Sequence, residues 1–521
     1  MLTQSTNSFF ASVFKFLKKQ PWHFWAAVLL TLAGLAIRLY NLPNTVMFLG
    51  DQGRDALIVS RIFKHRDLVF IGPVTSVGNM YLGPLYYYFM VPFLWLSYPS
   101  PLGPVYAVAV LSTAAIFLLY WFGKKMFNAR VGVLAALFLC FSTAAVTISR
   151  FSWNPNLAPL AALLMIFFNW KALRKPRYWI GVAACFSILI QLHYLTLLTG
   201  ISAGIVWLTQ LIKLLRNQQG FKNHQVHKLL KPTVIGLLIL LASLTPLILF
   251  DIKHNGLNLK AFLALLTEEE SFVRTNFTLL EQLTHSLGET EGRAMHILAE
   301  YNFGQLRRLN RLITFTLLGI LGWSWMNSRK QSRAKQNSHL VLIVYLLVGI
   351  FGTAAYQHNI FNHYIAYLFP VTALVYALTI DQLIKKSWLG LIPTVGFITW
   401  FLWFNLPKLP LESNYQYQIK KKTAQAISQH LSPEQSYNLV LLSKSKDLYG
   451  QSYRYFLSTT SIPPLPAGTH LDPEVLVIID EQKNPKGALN NQIYEIIKFG
   501  DDSIDKSIEI EQGPNVYFLE G

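Results

Sequence analysis

Residues 21–40, PWHFWAAVLLTLAGLAIRLY, form an apolar run as long as a bilayer is thick, because a hydrocarbon core of roughly 30 Å takes about 20 helical residues. Aromatic side chains open the run and Arg38-Leu39-Tyr40 closes it, flanks that suit a membrane boundary. No small-x-small cleavage site follows, so it reads as an uncleaved first span rather than a removed signal. Runs of the same kind recur at 103–122, 131–149, 157–173, 178–194, 196–212, 232–250, 310–327, 340–357, 364–382 and 387–405. Together they predict about eleven transmembrane helices, with 178–194 and 196–212 short enough to form a tilted or broken pair. A chain of 521 residues, 52% hydrophobic and only 14% charged, cannot hide its apolar surface in one aqueous core, so the bilayer must be its solvent.

The net charge of +19 is unevenly placed: from residue 405 onward 11 Lys plus Arg face 14 Asp plus Glu, so the preceding part carries +22. That excess sits in alternate short connections, such as Lys15 to Lys19, Lys124 to Arg130, Lys171 to Arg177, Arg329 to Lys335 and Lys385-Lys386, whereas the opposite short connections hold only Arg150. The asymmetry puts the amino terminus in the cytoplasm and, after an odd number of spans, the carboxy terminus outside a plasma (inner) membrane. Such a pattern is topological and gives no reason to expect a nucleic-acid partner. Cys140 and Cys185 lie in apolar spans of different helices and offer no disulfide framework; they read as packing residues.

Two exported loops, 41–102 and 251–309, are longer than a helix connection needs, and function concentrates in such loops. The aromatic stretch from Val77 to Tyr88, with Phe93, Trp95 and Tyr98, predicts short helices at the headgroup level. After residue 405 the pattern turns to water-soluble alternation, helical over Thr423 to Leu431 and Gln451 to Leu457, strand over Tyr437 to Leu442 and Val475 to Ile479. The chain thus divides into a multi-spanning all-α domain, 1–405, and a small extracytoplasmic α/β domain, 406–521.

About ten residues beyond the first span stands Phe48-Leu49-Gly50-Asp51-Gln52-Gly53-Arg54-Asp55-Ala56. If Gln52 onward is helical, Asp51 lies at its amino end with Asp55 one turn later on the same face. Both acids are catalytic candidates, Asp51 the stronger, and Arg54 between them is a binding candidate; the plain alternative is an N-cap and a solvated surface acid. Arg38, some thirteen residues upstream, is a plausible tie to this loop. Glu268 to Glu270 and then Arg307, Arg308 and Arg311 end the second long loop. Arg307 and Arg311 share a helical face, and cations on the exported side run against the charge trend. His193, with Gln191 and Tyr194, and His358 and His363, with Asn359 and Asn362, form a polar group near exported ends. The five-residue interval between His358 and His363 misses the one-turn spacing of a helical metal pair, so lining of a sugar or phosphate pocket is the better reading. Asp251 to Gly256 reads as a helix end.

An acidic motif in the first exported loop, after an uncleaved span and before ten more, resembles the C-type glycosyltransferase superfamily. More narrowly, the chain is similar to its protein O-mannosyltransferase and lipid A aminoarabinose transferase branch. Asp51-Gln52 stands where that branch carries an Asp-Glu pair, and Ser149 to Pro155 matches a second family feature, an Arg followed four residues later by an acid, with Arg150 in place and Asn154 in the acidic position. The likeness covers roughly residues 10 to 405. It implies a C-type glycosyltransferase fold and inverting transfer of a sugar from a polyprenyl-phosphate donor to a protein, lipid or glycan acceptor on the exported face. Asp51 is then the expected base, with Arg150 and the Arg307 to Arg311 group beside the departing phosphate, and Trp153 a stacking candidate. No cofactor is indicated by these residues, and a divalent cation is left open, weakened by Asn154 in an acidic place. The rival readings are a transporter or flippase of lipid-linked sugars, and a sensor that would lose function on deletion of residues 411–521.

Overall fold

The computed structural model describes residues 19–75, 80–216, 224–267, 307–354, 361–445, 447–468, 472–484, 493–500 and 504–521, excepting the side chains of 265–267 and 307–311. Among them, seven helices are long and apolar enough to cross a membrane: Trp22–Leu39, Leu102–Met126, Tyr194–Leu215, His224–Lys253, Arg333–Ala354, Asn362–Lys386 and Trp388–Lys408. The remaining expected spans correspond to Arg307–Ser328 and to shorter or interrupted helices. The run 131–149 divides at Ser142 into Ala129–Phe141 and Thr143–Ile148. The run 157–173 starts as a 3-10 turn, Asn154–Leu157, before Ala158–Ala172.

A helix break inside an apolar bundle exposes backbone groups that lipid cannot satisfy, and polar side chains meet that need here. Ser142 Oγ accepts from the Ala145 N–H at 3.3 Å, and Asn405 Oδ1 accepts from the Thr143 N–H at 2.9 Å. On the other side of the break, Arg38, 1% exposed, donates to the carbonyls of Leu139 at 3.1 Å and Cys140 at 3.4 Å, in the last turn of Ala129–Phe141. Arg150 returns the favour to the first span: its guanidinium donates to the carbonyls of Ile37 and Tyr40, the latter at 2.7 Å. Arg38 thus satisfies orphan carbonyls at the end of Ala129–Phe141, and Arg150 those at the end of the first span.

The first long loop carries helices Leu42–Thr45, Gly50–His65 and Leu85–Ser97; of the aromatic stretch expected to be helical from Val77 to Tyr88, the described residues before Leu85 are not, and Tyr81 instead makes an antiparallel bridge to Val74. Beyond residue 405, helices Gln416–His430, Gln451–Leu457 and Tyr494–Phe499 accompany a four-stranded sheet. Its strands β1 (Tyr437–Leu442), β2 (Val475–Asp480), β3 (Lys506–Glu509) and β4 (Asn515–Glu520) lie in the order β1-β2-β4-β3, with β1 and β2 parallel and the other pairs antiparallel. β1 and β2 are buried along all six residues, as strands covered on both faces must be. One face, with Tyr437, Leu439, Val475 and Val477, belongs to the same apolar core as the membrane helices. The other face packs Val440, Leu476 and Ile478 against Ile496 in a small second core.

Candidate active site

Helix Gly50–His65 begins at an extended Leu49, whose N–H is accepted by Gln52 Oε1 at 2.8 Å, closing the first turn from inside. Asp51 therefore sits where helix N–H groups favour a carboxylate. One turn later comes Asp55, and Arg54 spans the two: Nη1 reaches Asp51 Oδ1 at 2.8 Å, while Nη2 and Nε reach Asp55 Oδ1 at 2.8 and 3.0 Å. The two acids differ sharply in setting, with side-chain exposure of 45% for Asp51 and 0% for Asp55. Tyr87 donates to Asp55 Oδ1 at 3.2 Å, and Asp55 Oδ2 is buried with no partner among the described residues. Burial raises the Asp55 carboxyl to about 6, against the lowering pull of Arg54 and the Tyr87 hydroxyl. Burial acts to lower Arg54, yet Asp55, Tyr87 and Asp51 hold it above its ordinary value. Asp55, expected as a second catalytic acid, thus faces Arg54 and Tyr87.

Asp51 and Arg54 form one wall of a cavity of about 700 Å³. Trp153, Asn154, His193, Tyr194, His363 and Tyr364 give it a polar, aromatic side, and Leu195, Leu197, Leu198, Phe262 and Phe361 an apolar one. Asn154 Nδ2 donates to the Leu192 carbonyl at 2.6 Å, fixing the 3-10 turn against the end of helix Trp179–Leu192. His193 Nδ1 accepts from the Leu195 N–H at 3.2 Å, and its ring lies 4.6 Å from Tyr364 and 6.2 Å from His363. The His363 ring stands 4.4 Å from Trp153. No group of three or more His, Cys, Asp or Glu able to hold a metal occurs among the described residues.

The structure therefore gathers Asp51, Arg54, Asn154, His193 and His363 around one hollow. Arg150, expected beside a phosphate, is 2% exposed and instead holds the end of the first span, because three carbonyl or hydroxyl acceptors from Ile37 to Thr45 surround its guanidinium. His358, Glu268 to Glu270 and the side chains of Arg307, Arg308 and Arg311 lie outside the described residues. Asp251 accepts from the N–H groups of Asn258 at 2.5 Å and Leu259 at 3.2 Å, which starts the next helix, and Asn258 in turn accepts from the Tyr81 N–H at 2.6 Å at the cavity rim.

Sequence reasoning missed the hold of the sheet domain on the Asp51 helix. A Cβ on Gly53 would meet the Gln451 carbonyl oxygen at 2.4 Å and Ser452 Cα at 2.5 Å, and one on Gly50 would meet Asp447 Oδ2 at 2.5 Å. Phe48 enters an aromatic nest of Tyr417, Tyr455 and Phe456, and the Asn44 carbonyl accepts from both Asn414 N and Tyr415 N at 2.9 Å. The available signal was the glycine pair itself, since two glycines in the first turns of a helix weaken it unless another backbone comes close.

No protein-family model matches this sequence, and no curated protein does. Solved structures do match. ArnT from Cupriavidus metallidurans bound to undecaprenyl phosphate aligns over 94% of this chain and 97% of its own, with a TM-score of 0.56 and 13% identity. The same protein in the apo state gives a TM-score of 0.54 at 12% identity. The archaeal oligosaccharyltransferase AglB from Archaeoglobus fulgidus, in complex with an inhibitory peptide and a dolichol-phosphate, aligns over 89% of this chain and 70% of its own, with a TM-score of 0.52 and 13% identity. Over most of its length this chain thus has the C-type glycosyltransferase fold of these structures.

Proposed function

We propose that the protein is an inverting glycosyltransferase that moves a sugar from a polyprenyl-phosphate donor to an acceptor hydroxyl on the exported face of the plasma (inner) membrane. The amino terminus is then cytoplasmic and the sheet domain outside. The observation that carries this reading is the Asp51 carboxylate: 45% exposed and on the wall of a 700 Å³ cavity, in a chain with this fold. An apolar side and a polar, aromatic side suit a molecule that is part lipid and part sugar phosphate.

In the step, the acceptor oxygen attacks the anomeric carbon, its proton passes to Asp51, and the carbon–oxygen bond to the phosphate breaks on the opposite face with the electron pair leaving on phosphate. Attack from one side and departure from the other inverts the centre. Asp55 acts as a positioning residue: its buried carboxylate fixes Arg54, and Arg54 fixes Asp51 Oδ1. Because Arg54 is committed to two carboxylates, it supplies little net charge to the leaving group, and Arg307, Arg308 and Arg311 remain the proposed phosphate partners. His193, His363 and Asn154 are proposed to contact the sugar or phosphate. The test uses purified protein and a panel of polyprenyl-phosphate hexoses and pentoses. Asp51→Asn is expected to lower turnover of the accepted donor by about 10²–10⁴-fold, and wild-type turnover in that variant removes the base. Movement of a lipid-linked sugar across vesicles with its phosphate bond intact would favour a transporter instead.

A further inference from the structure

A second cavity, about 630 Å³, lies wholly within the sheet domain, in the range of about 300–1,000 Å³ usual for small-ligand sites. Its floor is the paired residues Asn438 of β1 and Leu476 of β2. Its walls are the loop Leu448-Tyr449 and the helix Tyr494–Phe499. The floor carries an amide donor. Asn438 is 5% exposed, and its Oδ1 accepts from Arg454 Nη2 at 2.6 Å and from the Leu439 N–H at 2.8 Å. Two donors on that oxygen fix the amide orientation and leave Nδ2 as the donor that Asn438 brings to the cavity lining.

The walls add aromatic faces, the Glu495 carboxylate and the Lys498–Asp472 ion pair. Tyr449 is 42% and Tyr494 55% exposed, and Glu495 stands beside them. Ring faces, the Asn438 amide, the Glu495 carboxylate and the Lys498–Asp472 ion pair, whose charges offset each other, make a set that suits a polyhydroxyl compound: apolar C–H faces lie on the rings while hydroxyls both accept and donate. An extended peptide fits less well, because strand addition needs a free edge. The open edge of β1 is already occupied, by the Leu448 carbonyl on the Leu441 N–H at 3.0 Å and by the Leu465 N–H on the Tyr437 carbonyl at 2.9 Å. The loop that closes this edge also joins the two sites. Asp447 lies against Gly50, next to Asp51, while Leu448 and Tyr449 line the second cavity.

We propose that this cavity is a saccharide subsite that holds an acceptor glycan at a distance from its reacting end. That the saccharide is the acceptor rests on the transferase reading; that the cavity binds a saccharide does not. The test is retention of the full-length protein, in nanodiscs, on an array of neutral and acidic oligosaccharides, with a peptide array beside it. Asn438→Asp keeps the oxygen that Arg454 and the Leu439 N–H require and exchanges the amide donor for a charged acceptor, and Tyr494→Ala removes an exposed ring. Each is expected to cut retention on the selected glycans about tenfold or more, the equivalent of one hydrogen bond or stacking contact, and Tyr494→Ala, at an exposed position, to leave the thermal midpoint unchanged. Wild-type protein that retains no oligosaccharide, retention indifferent to both variants, or capture of peptides alone would each overturn the subsite. Donor turnover is scored in parallel: glycan retention without donor cleavage supports the subsite while removing the transferase reading, and cleavage without retention does the reverse.

Discussion

Gly53→Ala tests whether the sheet domain places the helix that bears Asp51, the proposed base. The added methyl would stand 2.4 Å from the Gln451 carbonyl oxygen and 2.5 Å from Ser452 Cα, where ordinary contact begins at 3.4 Å. Both obstacles are backbone, so no side chain can swing aside and the two helices must part by about 1 Å. Overpacking of this kind costs about 1–3 kcal/mol, and replacing a helical glycine by alanine returns about 1 kcal/mol. The net loss of stability is therefore small, on the order of 0–2 kcal/mol. Activity is expected to respond far more, because a misplacement of about 1 Å in a catalytic group can cost on the order of 10²-fold, and Asp51 is two residues from the contact. The assay is turnover of the lipid-linked donor alongside thermal unfolding in the same detergent. Gly396→Ala serves as control, since its Cβ would meet nothing within 4 Å. A Gly53→Ala enzyme that turns over at the wild-type rate would refute the claim that this contact positions Asp51.

Two further predictions concern the polar groups around the site. The folded-state value of Asp55 is raised from 3.8 to about 6, so its contribution to stability is fully present below 3.8 and is lost as pH rises through about 6. Its hold on Arg54 needs the ionised form, so turnover should fall as pH drops through about 6, and Asp55→Asn should show low turnover without that acid limb; a wild-type profile flat from pH 5 to 7 would count against the role. Arg150→Lys removes the planar fork that reaches Ile37, Tyr40 and Thr45 together. It should lower stability by about 1–3 kcal/mol with little change in donor KM, and a raised KM at unchanged thermal midpoint would return Arg150 to the phosphate.

Composition made the bilayer legible because 18-to-25-residue apolar helices such as Trp22–Leu39 and Leu102–Met126 leave a signal that few other structures produce. It could not show where such a run breaks. Ser142 and Thr143 look like ordinary members of an apolar stretch, and only Asn405, far along the chain, reveals that the backbone there leaves the helix. In the sheet domain, β1 and β2 were readable as continuous apolar runs, whereas β3, with charged and exposed residues, carries little hydrophobic pattern. The one-turn spacing of Asp51 and Asp55 was visible, but which of them is enclosed depends on Tyr87 and on packing that no local pattern encodes. Arg150 illustrates the same limit. A lone cation at a span end looks alike whether it awaits a ligand or closes a neighbouring helix.

The grip of Gln451 and Ser452 on Gly53 has a temporal side. During synthesis the helix bearing Asp51 emerges some 400 residues before the segment that seats it, at about 5–20 residues per second. Through that interval the membrane bundle can assemble around a hollow whose base still lacks its final support. A chain interrupted late in translation would then be inserted in the bilayer with the Asp51 helix still unseated.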